Sequence, residues 1–238
     1  MGRTRWRSGI MWPMLLASVL FLGTHLGISS TALRDRLVAA LGERGYLIVY
    51  SLVAFATLGY LIWMYGALPR YDYFWLPSPE LYMVPKLVMP VASILLLGGF
   101  MARNPTVVGM EDTLRRGEGG DLARGLTRIT RHPFQWAVVL WAAAHLAANG
   151  DRVSVVFFGT FLVLGLAGSR LIDRKKAKKL GDDWTPYADA TSNVPFGAIL
   201  AGRNRLVLRE LIAPVLVGLV GYVLLYLAHP WLAGVRIG

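Results

Sequence analysis

The sequence predicts an all-α, polytopic integral membrane protein with about six transmembrane helices in one bundle. Of its 238 residues, 55% are hydrophobic and only 16% are charged, whereas soluble domains carry about a quarter charged residues. The apolar residues also fall into runs near the roughly 20 residues that a helix needs to cross the hydrocarbon core. Only helices and closed barrels satisfy the backbone in lipid, and runs this continuous favour helices.

Six apolar segments define the predicted helices of a single domain that covers residues 1–238. They span about 10–29, 47–68, 82–100, 133–148, 153–172 and 211–228. The fourth segment is short, and the turn around residues 149–152 makes helices four and five an antiparallel hairpin. Polar connections at 101–132 and 173–210 are the only loops large enough for structure outside the membrane.

Lysine and arginine set the predicted orientation, because cytoplasmic loops are enriched in both. The loops after helices one, three and five hold 17 of them, whereas the N-terminus, the other two loops and the C-terminal tail hold 6. Both termini are therefore expected outside the cytoplasm. Three arginines near the N-terminus oppose this orientation. Translation from Met11 or Met14 rather than Met1 would remove the conflict, and a cleaved signal peptide ending near Ala32 is the alternative.

Composition also excludes several classes of site. The net charge of +11 does not indicate nucleic acid binding, because the basic residues lie mainly in loops between apolar segments. The chain has no cysteine, so a transition-metal site must use histidine, carboxylate or methionine. The GEGGD segment at 117–121 lacks the lysine and spacing of a phosphate loop. The basic run at 173–179 could bind anionic lipid headgroups, although topology alone explains it.

The four histidines are the candidate functional residues, since ionisable groups at membrane depth are costly and usually face the bundle interior. Counted at 1.5 Å per residue from the cytoplasmic flanks, His25 lies about 13 Å deep and His145 about 21 Å deep, both near the middle of a core of about 30 Å. His132 lies at the cytoplasmic boundary, about 20 Å along helix four from His145, so these two cannot share a metal. His229 precedes Pro230 at an interface, where anchoring explains it.

His25 and His145 form the pair best placed to meet inside the bundle. Two imidazoles on facing helices are a common way to hold a haem iron. Alanines around His145 leave room for a flat macrocycle, Trp141 lies on the same face one turn away, and Gly23 and Gly27 flank His25. Small residues also serve ordinary helix packing, so an imidazole hydrogen-bonded between helices is the alternative for each histidine.

Nearly the whole chain resembles the NnrU family of bacterial membrane proteins. The matching segments are FLGTHLGISS in helix one, TRHPFQWAVVLWAAAHLAANGD in helix four, and LIDRKKAKKLGDDWTPYADATSNVPFGAILAGR after helix five. The resemblance implies a protein of the bacterial inner membrane that acts alongside nitrite and nitric oxide reduction (denitrification). The superfamily contains ζ-carotene isomerase, a haem b protein that isomerises a cis double bond of a carotenoid. Its haem-ligating histidines correspond to His25 and His145, which implies haem b and a hydrophobic small-molecule substrate.

A more distant resemblance, to the isoprenylcysteine carboxyl methyltransferases, implies S-adenosylmethionine as the alternative cofactor. The matching residues are Arg131, His132, Trp184, Tyr187 and Pro195. Two departures weaken this reading. Ile172-Asp173 stands where those enzymes carry a Glu-Glu pair, and residues 135–137 replace their Tyr-x-Gly.

Arg131 and His132 are therefore expected to cap helix four and dock the 173–210 loop, with Trp184, Tyr187 and Phe196 as a small interfacial cap. Two function classes stay open. One is a haem-dependent membrane enzyme or redox-sensing accessory factor. The other is a haem-free component that assists assembly or transport for a nitrogen-oxide pathway, with reductase components as partners.

Overall fold

The computed structural model describes residues 4–29, 31–107, 109–110, 114 and 122–235, with the backbone alone for residues 4–10. The main helices of this part of the chain are α1 (Thr4–Leu22), α2 (Ala32–Ala67), α3 (Pro79–Gly98), α4 (Pro133–Ala148), α5 (Arg152–Leu180), α6 (Thr185–Ala190), α7 (Gly197–Leu200) and α8 (Ile212–Ala233). A π-helical turn, Gly23–Ile28, continues α1, and short 3-10 turns precede α4, α6 and α8.

Five segments of the described residues are long and apolar enough to cross a membrane. They are Met11–Ile28, Ala32–Ala67, Pro79–Gly98, Arg152–Asp183 and Ile212–Ala233. The sixth predicted span coincides with α4, which is apolar but has only 16 residues, or about 24 Å. The all-α membrane fold is thereby confirmed, while the assembly of all six spans into one bundle stays a prediction.

The largest differences from the predicted spans are at two helix boundaries. The region before residue 47 is helical, because α2 begins at Ala32, where the Thr31 hydroxyl accepts a hydrogen bond from the Leu33 N–H. At the other boundary, α5 continues beyond the predicted end at Ile172 to Leu180. Asp173 therefore lies on a helix and not in a loop. Hydropathy detects only the membrane-spanning part of a helix, so it does not detect a polar extension of the same helix beyond the membrane.

The connection after α5 is also more ordered than predicted, and it docks on the residues that precede α4. The Arg131 N–H donates to the Ser192 carbonyl (2.8 Å) and the Phe196 N–H donates to the Ile129 carbonyl (2.7 Å). The Thr130 hydroxyl donates to the Asn193 carbonyl (2.6 Å). The predicted docking of this loop at the start of helix four is thus confirmed.

The chain divides into two compact units, Met1–Pro85 with Ala142–Leu171 and Lys86–Trp141 with Ile172–Gly238. In the first unit, the hydroxyls of Ser18 on α1 and Thr160 on α5 lie 2.6 Å apart. In the second unit, α3 and α8 approach so closely that a Cβ added to Gly218 would lie 2.3 Å from the Cα of Ile94. Small residues permit such contacts between membrane helices.

A buried ion pair anchors the start of α8 in the second unit. Nε of Arg128 donates to Oε2 of Glu210 (2.8 Å) and Nη2 donates to Oε1 (3.1 Å). The Gly125 N–H also donates to Oε2 (2.7 Å), and the Arg128 side chain is only 3% exposed. These hydrogen bonds, with that from Arg128 the largest cause, lower the pKa of Glu210 to about 2.

Candidate functional site

His25 lies in the π-helical turn Gly23–Ile28 that ends α1, a feature that sequence reasoning missed. Turns of this kind are rare and frequently occur at functional sites. Nδ1 of His25 lies 2.9 Å from the Phe21 carbonyl. Because a carbonyl can only accept, Nδ1 carries the proton and Nε2 keeps the lone pair that a metal ligand needs. The backbone of α1 therefore fixes both the tautomer and the orientation of the ring.

Hydroxyl groups support the turn. The Thr24 hydroxyl donates to the Phe21 carbonyl (2.8 Å) and lies 3.4 Å from the hydroxyl of Thr57 on α2. The Ser29 hydroxyl donates to the His25 carbonyl. The Tyr50 ring meets the His25 imidazole edge-on, with the ring centroids 6.2 Å apart. Side chains from both α1 and α2 thus hold His25 in place.

His145 belongs to the same unit and lies near the end of α4. Its ring centroid is 5.1 Å from that of Phe158 on α5, at an interplanar angle of 30°. The Asn149 side chain donates to the His145 carbonyl (2.8 Å). Ala142 and Ala144 on the same helix are buried, which agrees with ordinary helix packing, the alternative to room for a macrocycle at these alanines.

Four phenylalanines, here named the phenylalanine cluster, connect the two histidines. The members are Phe21, Phe157, Phe158 and Phe161. Neighbouring rings are 5.1 to 5.3 Å apart. His25 contacts the cluster through Phe21, at 4.1 Å, and His145 contacts it through Phe158. The two histidines therefore contact one largely buried aromatic cluster from opposite ends of this chain of ring contacts.

His25 has the features that a haem ligand requires. His25 presents an Nε2 lone pair, the neighbouring surface is apolar, and an added Cβ on Gly23 or Gly27 would meet no atom within 4 Å. A flat macrocycle needs such open space beside its ligand. Trp141, predicted beside His145, is half-buried on α4 and belongs to the second unit.

A second cluster of polar side chains lies in the second unit, where Arg131 and His132 precede α4. Nε2 of His132 donates to Oδ1 of Asp173 on α5 (2.7 Å), and the His132 side chain is fully buried. Nε of Arg131 lies 3.6 Å from Oδ2 of the same carboxylate, which is an ion pair too long for a hydrogen bond. Asn193 donates to Oδ2 (3.2 Å). Asp173 thus links α5, the start of α4 and the polar loop.

The other contacts of this cluster are internal to the fold. Arg131 donates to the Ala188 carbonyl (3.1 Å), and its guanidinium lies 5.9 Å from the Trp184 ring. Tyr187 is fully buried, burial raises its pKa, and its hydroxyl donates to Asn104 (3.2 Å). Nδ1 of His132 has no hydrogen-bond partner among the described residues. Arg131 and His132 therefore have the docking role that the sequence predicts.

The predicted aromatic cap is only partly present. Trp184 and Tyr187 pack together with Leu180, with the two aromatic centroids 5.5 Å apart. Phe196 instead has a left-handed backbone (φ 64°) at the start of α7 and is 46% exposed. Phe196 does not belong to the Trp184–Tyr187 cluster, so its expected place in the cap is wrong.

Comparisons with known proteins identify relatives of this chain. The family model described as NnrU protein matches residues 13–237. The chain is 26% identical over 198 residues to the 15-cis-zeta-carotene isomerase, chloroplastic, of Zea mays, a match that covers 81% of this chain and 52% of the maize protein. It is 35% identical over 80 residues to the protein of the same name from Arabidopsis thaliana, covering 34% and 22%. The chain thus spans about half the length of the maize relative, and no solved structure matches it significantly.

Proposed function

Because the chain belongs to the NnrU family, we propose that it is a haem b-binding membrane protein that isomerises a cis double bond of a carotenoid such as ζ-carotene. The likeness to the maize isomerase, over 81% of this chain, supports the reaction class. The observation that carries the proposal is His25, whose protonated Nδ1 bonds the Phe21 carbonyl (2.9 Å) and leaves Nε2 for a metal.

His25 and His145 would hold the haem iron through their imidazole nitrogens. Bound haem b would supply a redox-active iron centre. The hydrogen bond from Nδ1 to the Phe21 carbonyl keeps the His25 ring oriented and raises its basicity as a ligand. The hydroxyls of Thr24 and Thr57 keep the π-helical turn in place. The protein's own contribution is thus a fixed ligand in apolar surroundings.

The phenylalanine cluster would form the apolar packing beside the substrate. Phe21, Phe157 and Phe158 are buried and Phe161 is half-buried, so Phe161 is the member that would contact a long conjugated hydrocarbon without polar groups. An apolar face also excludes water from the reacting double bond. An isomerisation conserves atoms and electrons, so the overall reaction consumes no oxidant, reductant or co-substrate.

Two alternatives remain, and neither has a structural observation in its favour. A role alongside nitrite and nitric oxide reduction is supported by the family resemblance alone. Binding of S-adenosylmethionine would need Arg131 and His132, which already bond Asp173, Ala188 and other internal partners. Calorimetry in detergent should accordingly show no binding of S-adenosylmethionine, and saturable micromolar binding that Arg131→Ala abolishes would favour the methyltransferase reading.

Absorption spectroscopy of the purified protein tests the proposal. Protein expressed with ample haem should show a Soret band that responds to dithionite. His25→Ala and His145→Ala should each lose haem or change from a six- to a five-coordinate spectrum. His229→Ala is the matched control, since that histidine bonds the Val235 carbonyl at the end of α8. Conversion of 15-cis-ζ-carotene, followed by chromatography, should decline with haem content.

Two outcomes would contradict the proposal. Wild-type protein without haem would exclude both imidazoles as iron ligands and leave them as hydrogen-bonding groups within the helices. If His132→Ala loses haem while His145→Ala retains it, the wrong histidine of α4 has been assigned.

A further inference from the structure

Backbone hydrogen bonds fix two loops of the first unit to each other. Tyr73, between α2 and α3, forms an antiparallel bridge with Asp151, between α4 and α5. The Phe74 N–H donates to the Gly150 carbonyl (2.8 Å), and the Arg152 N–H donates to the Asp72 carbonyl (2.9 Å). This pairing fixes the loop between α2 and α3 against the turn between α4 and α5.

The pairing brings two arginines together. Arg70 is the only basic residue between α2 and α3, and Arg152 is the only one at the turn between α4 and α5. Both line one cleft of about 180 Å³, here named the arginine cleft, together with Met11, Pro69, Tyr71 and Asp72. Membrane topology explains why these two loops contain few basic residues. It does not explain why the two arginines that are present line the same cleft.

Each guanidinium lies against an aromatic ring. Cζ of Arg70 is 4.1 Å from the centroid of Tyr65, and Cζ of Arg152 is 5.4 Å from that of Phe74. Stacking holds a guanidinium through its face and leaves its N–H edges for an anion. Arg70 uses one of these groups on the Tyr65 carbonyl (3.3 Å). Neither arginine forms an ion pair with another described residue, and Asp72 is the one acidic residue that lines the arginine cleft.

The size and surroundings of the arginine cleft define the anion. Sites for drug-sized ligands have volumes of about 300–1,000 Å³, so this cleft suits a single charged group whose remainder lies outside. Tyr71, which lines the cleft, is 84% exposed, and Leu76 in the same loop is 77% exposed, as is typical of the layer where helix ends meet lipid headgroups. Paired guanidiniums match the oxygens of a phosphate. We propose that Arg70 and Arg152 bind the phosphate of an anionic phospholipid headgroup.

Native mass spectrometry of the delipidated protein in detergent, titrated with phosphatidylglycerol, tests this proposal. Arg70→Gln and Arg152→Gln should each weaken lipid binding about tenfold, the loss expected for a charge-assisted hydrogen bond. Lysine at either position keeps the charge without the forked geometry and should give an intermediate affinity. The matched control is Arg36→Gln, which removes one exposed charge near the start of α2. Thermal unfolding of every variant verifies that it is folded.

Competition experiments identify the source of the phosphate. Millimolar inorganic phosphate should not displace phosphatidylglycerol, and phosphatidylcholine, which is zwitterionic, should bind more weakly. Displacement by inorganic phosphate would overturn the lipid assignment in favour of a free anion. Unchanged lipid binding by the folded double variant would overturn the site itself. Lipid binding here is independent of haem, because neither His25 nor His145 lines the arginine cleft.

Discussion

Nε2 of His132 donates a 2.7 Å hydrogen bond to Oδ1 of Asp173, from a side chain with no exposed surface. The two residues join the start of α4 to the polar part of α5. Since Asn193 and Arg131 also contact the same carboxylate, Asp173 is the common acceptor for the 173–210 region.

Replacement of Asp173 should therefore destabilise the protein without affecting haem. Asp173→Ala leaves a buried N–H without an acceptor, which costs about 1–3 kcal/mol. Asp173→Asn should cost less, because its amide oxygen still accepts from His132. Thermal unfolding in detergent measures the loss, and Asp182→Ala, at an exposed position, is the control. A lost or shifted Soret band in Asp173→Asn would contradict a purely structural role.

The Arg128–Glu210 pair should make stability depend on pH in the acidic range. The pKa of Glu210 is lowered from 4.5 to about 2, so the stabilisation is complete above about pH 4.5 and is lost as the pH falls towards 2. Glu210→Gln removes this dependence. The difference in free energy of unfolding between wild type and Glu210→Gln should decline over that window. A difference that stays constant down to pH 2 would show that the pair contributes nothing through charge.

Removal of the Glu210 side chain should be more severe at neutral pH. Glu210→Ala leaves the guanidinium of Arg128, only 3% exposed, without its counter-charge, which costs about 3–5 kcal/mol. Chemical unfolding at neutral pH measures this loss. Arg209→Ala, next to it and exposed, should change stability little, and an equal loss in both variants would argue against the ion pair as the cause.

Gly150 should not tolerate alanine. An added Cβ would lie 1.9 Å from the Trp75 carbonyl oxygen, so the paired loops must separate, at about 1–3 kcal/mol. Gly159 in α5 has no atom within 4 Å of an added Cβ, and Gly159→Ala should stabilise the helix by about 0.5–1 kcal/mol. Thermal unfolding compares the two substitutions. Equal stability of both variants would mean that the loops adapt freely.

The protein is predicted to lie in the bacterial inner membrane. The 17-to-6 distribution of basic residues predicts that both of its termini lie outside the cytoplasm. A periplasm-dependent reporter fused after Gly238 should be active, and a cytoplasmic reporter at the same position should be inactive. The reverse result would require a different number of spans or the opposite orientation. The named relatives are chloroplastic, so the membrane that holds this chain stays a prediction.

Much of the fold followed from the sequence, because apolar runs of this length have few alternatives in lipid. The docking of the polar loop on Arg131 and His132 followed from the resemblance. The partner Asp173 did not, because the apolar run ends before it and hydropathy alone ends the helix there. The sequence did contain one signal for this partner. Asp173 is an acidic residue at the position where the methyltransferases carry their acidic pair.

The site was predicted less completely. Depth along the helices placed His25 and His145 at similar levels, and the structure assigns both to one unit. The π-helical turn was not predicted, because it depends on a shift in backbone hydrogen bonding that no residue pattern specifies. Phe157, Phe158 and Phe161 looked like ordinary lipid-facing residues, since hydropathy does not distinguish aromatic contacts inside a unit from contacts with lipid.

The break in α2 determines how this helix matches a bilayer. As an unbroken helix its 36 residues would extend about 54 Å, far beyond a hydrocarbon core of about 30 Å. Left-handed Gly42 (φ 72°) divides it near the ion pair between Arg34 and Glu43 (2.7 Å). The segment after the break extends about 38 Å, which fits within the roughly 40–45 Å of a bilayer that includes its headgroup regions. Gly42 therefore sets the hydrophobic length of α2. That length determines the membrane thickness in which Tyr50 and Thr57 of α2 stay level with His25.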